Sequence, residues 1–494
     1  MTRPITLIRS FRFLAILCLA LPRLPASASA AGQPNVLFIL ADDLGWRDLA
    51  CFGSTYHETP NIDRLAARGM KFTNAYGQPL CSPTRSALLT GLDPARTGIT
   101  QPHCHLPQVV LEPKRAASAP AKEPLLGAVP VTRLKTEFKT LPEAFLASGY
   151  HTAHFGKWHL GPEPYSPLQQ GYEIDVPHTN EPGPLPEGFF HPFKVWKGKG
   201  KPGDNLEDVL ATEAANYIRQ KRDRPFFMTY WAFEVHSPWQ ATKEQVDHFR
   251  AKADPKNPQR NAVYAGMVQG LDNAVGTLVK TLEESSQLDN TLIVFLSDNG
   301  GYITPNKQYM LPEYHTTPPT SNAPLRDGKA TLYEGGVRVP LIISWPGKVA
   351  PGTSSDVLVA MTDWFPTFCE LLSLPKPDAQ PQDGSSFAPA LRGKPVERKN
   401  IAFHFPHGAK AGSALREGDW KLIRRYATAN GNELYDLATD LGETKNLAGE
   451  QPGKVAALNQ QLDTYLKTTG AIIPIDNPAW VPPPNKNQAL PDKP

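Results

Sequence analysis

Two runs of consecutive apolar residues, each ending in acidic residues, constrain the fold of this chain most strongly. The first run, residues 36–41, stops at Asp42 and Asp43, and the second, residues 292–296, stops just before Asp298. Continuous apolar runs are typical of strands that are buried on both faces, as in a parallel sheet covered by helices. Ligands bind at the carboxyl ends of such strands, so we expect the two acidic strand ends to meet.

Two more apolar runs end in cationic or proton-carrying side chains. Residues 225–233 lead into His236, and residues 151–155 lead into Lys157 and His159. Segments with helical periodicity lie between these runs, and alternation of strand and helix is typical of α/β folds. We therefore predict an α/β fold in which helices sandwich a large, mixed but mostly parallel sheet. The polar residues that follow all four runs would then collect at one edge.

Residues 1–30 have the layout of a secretory signal peptide. A basic stretch precedes an apolar segment at 13–21 that is too short to span a bilayer, and Ala-Ser-Ala follows at 28–30. We expect cleavage near Ala30 and a secreted or periplasmic protein without a transmembrane segment. Cleavage would remove four arginines and no acidic residue, leaving 47 of the 51 Lys and Arg residues against 48 Asp and Glu. A nearly neutral chain gives no argument for binding nucleic acid or a membrane surface.

The segment that begins at Cys81 carries the most specific motif. The cysteine opens an apolar, helix-like run, and the N-terminus of a helix favours anions. The run resembles the signature of type I sulfatases, C-x-P-x-R with a Thr-Gly tail, matched here by Cys81, Pro83, Arg85, Thr90 and Gly91. In that family the cysteine is oxidised by a formylglycine-generating enzyme, and the hydrated aldehyde is the nucleophile. The resemblance therefore implies that Cys81 is a modified residue and not a buried structural thiol.

Further segments resemble blocks of the same family and follow its order along the chain. Each block alone is weak, because Asp-Asp or Asp-Asn-Gly more often caps a helix or forms a turn. Together with the Cys81 motif they span most of the chain: 42–45, 156–161, 236–238, 298–300 and 328–340. The resemblance implies a sulfuric ester hydrolase of the alkaline phosphatase superfamily. A sulfated carbohydrate is the expected natural substrate, with aryl sulfates as artificial ones.

The acidic strand ends supply the ligands of a hard cation. Asp42, Asp43, Asp298 and Asn299 would offer three carboxylates and one amide oxygen, which suit Ca²⁺ or Mg²⁺ and not zinc or copper. Flexible coordination by oxygen alone fits calcium better than magnesium. The resemblance also implies one Ca²⁺ ion, with the modified Cys81 as a further ligand.

The resemblance assigns roles to the remaining polar residues. Lys157 and Lys329 suit the sulfate oxygens, and Arg85 would hold the aldehyde hydrate from one helical turn away. One hydroxyl of the hydrate would attack sulfur while His236 or Lys329 protonates the departing alcohol. His159 would then deprotonate the second hydroxyl, and sulfate would leave.

Three segments without regular periodicity are predicted to be loops. Residues 101–135, rich in Pro, Ala and Lys, read as a surface insertion, and the His-Cys-His motif at 103–105 is a weak zinc signal without a second cluster. The aromatic side chains of 162–196 could stack on sugars at the pocket rim or form a small core of their own. Residues 302–326 follow the metal pair and should border the pocket, so substrate choice is expected to reside in 162–196 and 302–326.

The pattern changes in the last quarter of the chain. Short strand-like segments and one amphipathic helix predict a small C-terminal subdomain with an antiparallel sheet at 396–470, after a catalytic domain at 31–395. Residues 471–494 read as a Pro-rich tail. With Cys81 modified, at most one disulfide can form among the three other cysteines beyond the signal peptide, and its pairing is open: Cys51, Cys104 and Cys369.

Two other functions fit parts of this pattern. A phosphonate or phosphodiester hydrolase of the same superfamily could carry the same modified cysteine, since sulfate and phosphate are both tetrahedral anions. An inactive protein that binds sulfated glycans could retain the fold without turnover. Every expected catalytic position is filled in this chain, which counts against the inactive protein.

Overall fold

We describe a computed structural model that covers Met1, residues 32–427 and residues 431–481. The predicted signal peptide at 1–30 and the end of the predicted tail, 482–494, lie outside the described residues apart from Met1. Across the described ranges, no helix is both long enough and apolar enough to cross a membrane.

The strands of the described part of the chain lie between residues 35 and 476. In chain order they are β1 (Asn35–Ala41), β2 (Met70–Tyr76), β3 (Lys114–Arg115), β4 (Leu125–Leu126), β5 (Ala128–Val129), β6 (His151–Gly156), β7 (Ile174–Val176), β8 (Phe226–Trp231), β9 (Thr291–Ser297), β10 (Arg338–Ser344), β11 (Thr353–Ser355), β12 (Val359–Ala360), β13 (Asn400–Phe405), β14 (Gly412–Glu417), β15 (Trp420–Arg425), β16 (Asn432–Asp436) and β17 (Ile475–Asp476).

Most of the helices lie between strands of the central sheet, and one long helix follows β16. They are α1 (Pro60–Ala67), α2 (Cys81–Thr90), α3 (Pro94–Thr97), α4 (Leu141–Ala147), α5 (Leu206–Arg219), α6 (Lys243–Ala251), α7 (Ala262–Glu284), α8 (Glu334–Val337), α9 (Trp364–Leu372) and α10 (Pro452–Thr469).

The central sheet has the strand order β11-β2-β10-β9-β1-β8-β6-β7, with β12 also paired to β2. Strands β9, β1, β8 and β6 are neighbours, and each pairs in parallel with the next. The antiparallel pairs are the two made by β10, with β9 and with β2. The four apolar runs of the sequence therefore lie side by side, and the loops that follow them leave the same edge of the sheet.

Helices cover both faces of this sheet. The side chains of β1 alternate between two cores: Leu37 and Ile39 pack with α1, α5, α6 and α7, while Phe38 and Leu40 pack with α2, α4 and α9. Burial of every residue of β1 explains its uninterrupted apolar run, because neither face meets solvent. The predicted α/β sandwich with a mixed, mostly parallel sheet is confirmed.

The C-terminal strands form a separate four-stranded antiparallel sheet, β13-β14-β15-β16. Helix α10 packs on one face of it through Leu458, Leu462 and Leu466, as the leucine spacing predicts. The other face packs against the central domain through residues such as Tyr76 and Phe403. The predicted C-terminal antiparallel subdomain is thus confirmed, and its boundary at residue 395 stays a prediction.

The segment 101–135 corrects one expectation from sequence. It contains β3, β4 and β5, of which β4 pairs with β17 of the predicted tail and β3 pairs with β5. Two-residue strands are too short to show a period of two, which explains why the sequence indicated a surface loop.

Asp93 joins the catalytic domain to α10 through a buried carboxylate. Its side chain caps α3 by accepting a hydrogen bond from the Ala95 N–H (2.9 Å), and the Tyr465 hydroxyl of α10 donates to the same oxygen (2.7 Å). Burial raises the pKa of Asp93 to about 7. A carboxyl group whose pKa rises on folding stabilises the fold at low pH relative to high pH, because the ionised form is penalised only in the folded state.

We expect Asp93→Asn to stabilise the protein at pH 8 by about 1–3 kcal/mol and to have little effect at pH 4. The amide keeps the oxygen that accepts both hydrogen bonds but cannot ionise. Chemical unfolding at the two pH values measures the difference. The same substitution at exposed Asp289 is the control, and an equal effect of Asp93→Asn at both pH values would contradict the argument.

Candidate active site

The acidic residues predicted as metal ligands meet at the edge of the sheet. Asp42 and Asp43 follow β1, and Asp298 and Asn299 follow the neighbouring β9. The Asp43 N–H donates to Asp298 Oδ1 (3.1 Å), and Asn299 Nδ2 donates to Asp43 Oδ1 (2.9 Å). All four residues are buried. Asp43 has a φ of 62°, a left-handed conformation that is rare outside glycine and is often found at functional sites.

Two lysines neutralise the first two carboxylates. Lys157 Nζ lies 2.5 Å from Asp42 Oδ2, and Lys329 Nζ lies 2.6 Å from Asp43 Oδ1. Burial opposes ionisation of Asp43, but the charges of Lys329, His236 and Lys157 outweigh it and hold its pKa well below the ordinary value. The pKa of Lys329 is raised despite burial, because Asp43 stabilises the ammonium.

Arg85 pairs with the third carboxylate. Its Nη2 donates to Asp298 Oδ2 (2.8 Å), its Nη1 donates to the Lys157 carbonyl (2.7 Å), and its guanidinium lies 5.1 Å from the ring centroid of Trp231. Burial and the charge of Asp42 raise the pKa of Asp298 to about 6, against the lowering effect of Arg85. The arginine therefore connects the loops that follow β9 and β6.

Cys81 is the first residue of α2 and is buried. Hydrogen bonds fix the start of this helix over the sheet edge: Thr84 Oγ1 donates to the Asp298 carbonyl (2.6 Å), and Ser82 Oγ donates to the His159 carbonyl (2.8 Å). Burial raises the pKa of the Cys81 thiol. Its Sγ lies 3.5 Å from Nδ1 of His159, so the predicted nucleophile position and the predicted base are adjacent.

His159 and His236 differ in their surroundings. Burial, reinforced by the charge of Lys157, holds the pKa of His159 well below its ordinary value. His236 Nδ1 lies 2.8 Å from the Ser237 carbonyl, and its Nε2 lies 3.8 Å from Asp43 Oδ2. Burial and the charge of Lys329 lower the pKa of His236 to about 3. The side chains of His236 and Lys329 are 15% and 11% exposed, so the site opens to solvent on their side.

The orientation of two oxygens fits a cation. Within the described part of the chain, Asp42 Oδ1 and Asn299 Oδ1 are buried and have no hydrogen-bond partner. Carboxylate oxygens of Asp42 and Asp43 and a ring nitrogen of His236 lie within 4.8 Å of one another. Buried oxygens without partners cost free energy unless something binds them, and a hard cation binds such oxygens. The donor set therefore fits Ca²⁺.

The sequence did not identify His105 as part of this site. Its Nδ1 lies 2.9 Å from Nε2 of His159, so the predicted surface insertion reaches one of the predicted catalytic groups. The neighbouring Cys104 is buried in the same apolar core as Ile99 and Val131. The weak zinc signal at 103–105 is not supported, because the structure gathers metal-ligating side chains of the described residues only around Asp42, Asp43 and His236.

Half of the six aromatic side chains of 162–196 join the main cores on the two faces of the central sheet, and the predicted small core of their own is not formed among these described residues. Tyr172, Phe189 and Phe193 are buried in the two large apolar clusters, so they cannot stack on a sugar. Among the described residues, Cys51, Cys81, Cys104 and Cys369 are all free thiols, which answers the open question of a disulfide.

Comparison with known proteins places the whole arrangement in one family. The family model described as Sulfatase matches residues 34–374, and the model described as N-sulphoglucosamine sulphohydrolase, C-terminal, matches residues 327–470. The first match covers more than half of the chain and includes the residues of the site described above.

Individual proteins agree with this match. A protein named Sulfatase from Formosa agariphila is 33% identical, covering 88% of this chain and 87% of the relative. Human N-acetylgalactosamine-6-sulfatase is 33% identical over 75% of this chain and 68% of the relative. The crystal structure of Ps i-CgsB in complex with k-i-k-neocarrahexaose superposes with a TM-score of 0.69 at 27% identity, covering 88% of this chain and 92% of the other. This chain therefore belongs to the sulfatase family of the alkaline phosphatase superfamily and is a sulfuric ester hydrolase.

Proposed function

We propose that this chain is a secreted, calcium-dependent sulfatase that removes sulfate from carbohydrate esters by means of formylglycine made from Cys81. The observation that carries the proposal is a convergence at one sheet edge. A buried cysteine and two lysines meet carboxylate and amide oxygens that have no hydrogen-bond partner among the described residues. Two relatives support a carbohydrate substrate: one is named for a sulfated amino sugar, and one binds a neocarrahexaose. The predicted signal peptide supports secretion.

The metal and the aldehyde would supply the electrophilic and nucleophilic chemistry. Asp42, Asp43, Asp298 and Asn299 would hold the ion, together with the modified residue 81. When present, Ca²⁺ would polarise the sulfate oxygens, and the hydrated formylglycine would displace the alcohol. Ion binding would also free the two lysines from the carboxylates that they neutralise, because the cation takes over that charge.

The lysines bind and orient the sulfate group. Lys157 Nζ is fully enclosed, whereas Lys329 lies at the opening beside His236. The charges of both ammonium groups act on Cys81, so the two lysines suit a tetrahedral anion seated beside that residue. The sulfate would therefore lie inside, and the sugar would stay at the solvent side next to Lys329 and His236.

The hydrogen bonds of the site indicate which side chains would donate and accept protons during the reaction. The Ser237 carbonyl accepts a hydrogen bond from Nδ1 of His236, so the neutral ring presents Nε2 without a proton. Lys329 carries three N–H groups and lies at the opening, so we assign protonation of the departing alcohol to Lys329 and an accepting contact to His236. His159 Nδ1, facing residue 81, would accept the proton of its hydroxyl.

Sulfate release from 4-nitrocatechol sulfate and from defined sulfated sugars tests the proposal. Protein co-expressed with a formylglycine-generating enzyme should release sulfate, and mass spectrometry should find formylglycine at position 81. Cys81→Ala should abolish turnover, and Lys329→Ala should lower kcat/KM about 100-fold or more because it removes both a sulfate contact and the proton donor. Cys369→Ala, a buried thiol far from the site in sequence, should retain activity.

Three outcomes would refute the assignment. Full activity with an intact thiol at Cys81 removes the formylglycine mechanism. Turnover of aryl phosphonate without turnover of any sulfate ester would favour the phosphonate hydrolase. Binding of sulfated glycans without release of sulfate, by protein that carries the aldehyde, would favour the inactive glycan-binding protein.

Calcium binding has its own prediction. Adding Ca²⁺ to EDTA-treated protein should raise the free energy of unfolding by about 2.7 kcal/mol at 100 times the dissociation constant, because the ion binds only the folded site. Asp42→Asn should abolish most of this gain. Asp272→Asn, which alters a buried carboxylate that binds the N-terminus of α1, should lower stability but preserve the gain. A gain that survives Asp42→Asn would place the ion elsewhere.

A further inference from the structure

His105 contacts the catalytic machinery from a segment that the family motifs do not include. Its Nδ1 lies 2.9 Å from Nε2 of His159, and the two rings are tilted by 43° with centroids 5.1 Å apart. A separation of 2.9 Å between two ring nitrogens requires one hydrogen to lie between them. His105 itself is exposed, whereas His159 is buried, so the contact connects solvent to the enclosed base.

The backbone on both sides of His105 is held in place. Asn180 Nδ2 and Arg133 Nη1 donate to the Cys104 carbonyl at 2.7 and 3.1 Å, and Arg133 Nη2 donates to the Leu106 carbonyl at 2.8 Å. Arg133 and Cys104 are both buried. These hydrogen bonds therefore fix the backbone that carries the imidazole of His105.

Both ring nitrogens of His159 are engaged. Nε2 faces His105, and Nδ1 lies 3.5 Å from Sγ of Cys81. The backbone of His159 has a φ of 57°, and Ser82 Oγ donates to its carbonyl. A strained backbone at such a position must be held by its surroundings, and here the surroundings include a partner for each end of the ring.

We propose that His105 is a positioning residue that accepts the Nε2–H of His159 and thereby keeps the Nδ1 lone pair directed at residue 81. A neutral imidazole has one N–H, so Nδ1 can accept a proton only if the hydrogen is on Nε2. That hydrogen needs an acceptor, and Nδ1 of His105 provides it. The inference rests on the proposed function, in which His159 accepts a proton from residue 81.

Substitutions that move or remove the acceptor separate this role from simple packing. His105→Asn places an amide oxygen on Cγ, where Nδ1 is attached, while His105→Gln places it one carbon further out and His105→Phe removes it. We expect His105→Phe and His105→Gln to lower kcat about 10- to 100-fold, the cost typical of losing a partner that orients a functional histidine, with KM unchanged. His105→Asn should retain most of the kcat of the parent enzyme.

The matched control is His103→Phe, on the same loop two residues away. It should keep the kcat of the parent enzyme, because within the described residues the contact to His159 is made by His105. Equal losses in the Asn, Gln and Phe variants, or full kcat in His105→Phe, would overturn the proposal. The Asn and Gln pair keeps the test decisive if the Phe variant does not fold, since the two amides differ in reach and not in chemistry.

A second readout does not depend on activity. In ¹⁵N-histidine NMR spectra of the full chain, His159, assigned by its loss in His159→Gln, should be a single tautomer with the proton on Nε2. His105→Gln should shift it to a mixture, and His105→Asn should not. An unchanged tautomer in His105→Gln would contradict the proposal. If the matured wild type hydrolyses no sulfate ester, the proposed function fails, yet the spectra still decide whether His105 sets the tautomer.

Discussion

Pairing of charges inside a closed site is the constraint on which the rest of this structure depends. Three carboxylates and three cations lie together, and nearly all of them are buried. An isolated buried charge costs several kcal/mol, so each of these groups is tolerable only while its partner is in place. The members come from separate parts of the chain, and the fold must therefore deliver all of them to one point.

The order of the strands achieves this. Because β9, β1, β8 and β6 are adjacent and parallel, their four following loops leave the same edge, and helix α2 is fixed over that edge by bonds from Ser82 and Thr84. Parallel strands are separated along the chain by helices, so residues 42 and 298 can be neighbours although more than 250 positions separate them. Asp43 and His159 have left-handed backbones, and contacts at this edge hold both of them: the Asp43 N–H donates to Asp298, and the His159 carbonyl accepts from Ser82.

The sequence predicted the sheet and most of the site because both leave periodic or motif signals. Strands buried on both faces appear as continuous apolar runs, and the polar residues after them could be placed at one edge without knowing the strand order. His105 could not be found in this way. Its loop has no period, and its contact depends on Arg133 and Asn180 holding a backbone turn. The burial of Phe189 and Phe193 could not be predicted either, since the sequence of a Pro-rich and Gly-rich loop does not indicate which side chains pack against the core.

The C-terminal subdomain contributes to the position of Lys329, although none of its residues lies among the predicted catalytic groups. Glu334, five residues after Lys329, pairs with Lys421 of β15 (2.9 Å), and Lys421 pairs with Glu443 (2.9 Å). Glu443 accepts the Glu334 N–H through its side chain (2.7 Å) and a hydrogen bond from Arg326 through its carbonyl (2.7 Å). Both ends of the segment 326–334 are thus held by the small sheet. Breaking such a buried ionic cluster typically costs about 3–5 kcal/mol, so this subdomain is part of what fixes Lys329, the lysine that we propose to face the substrate.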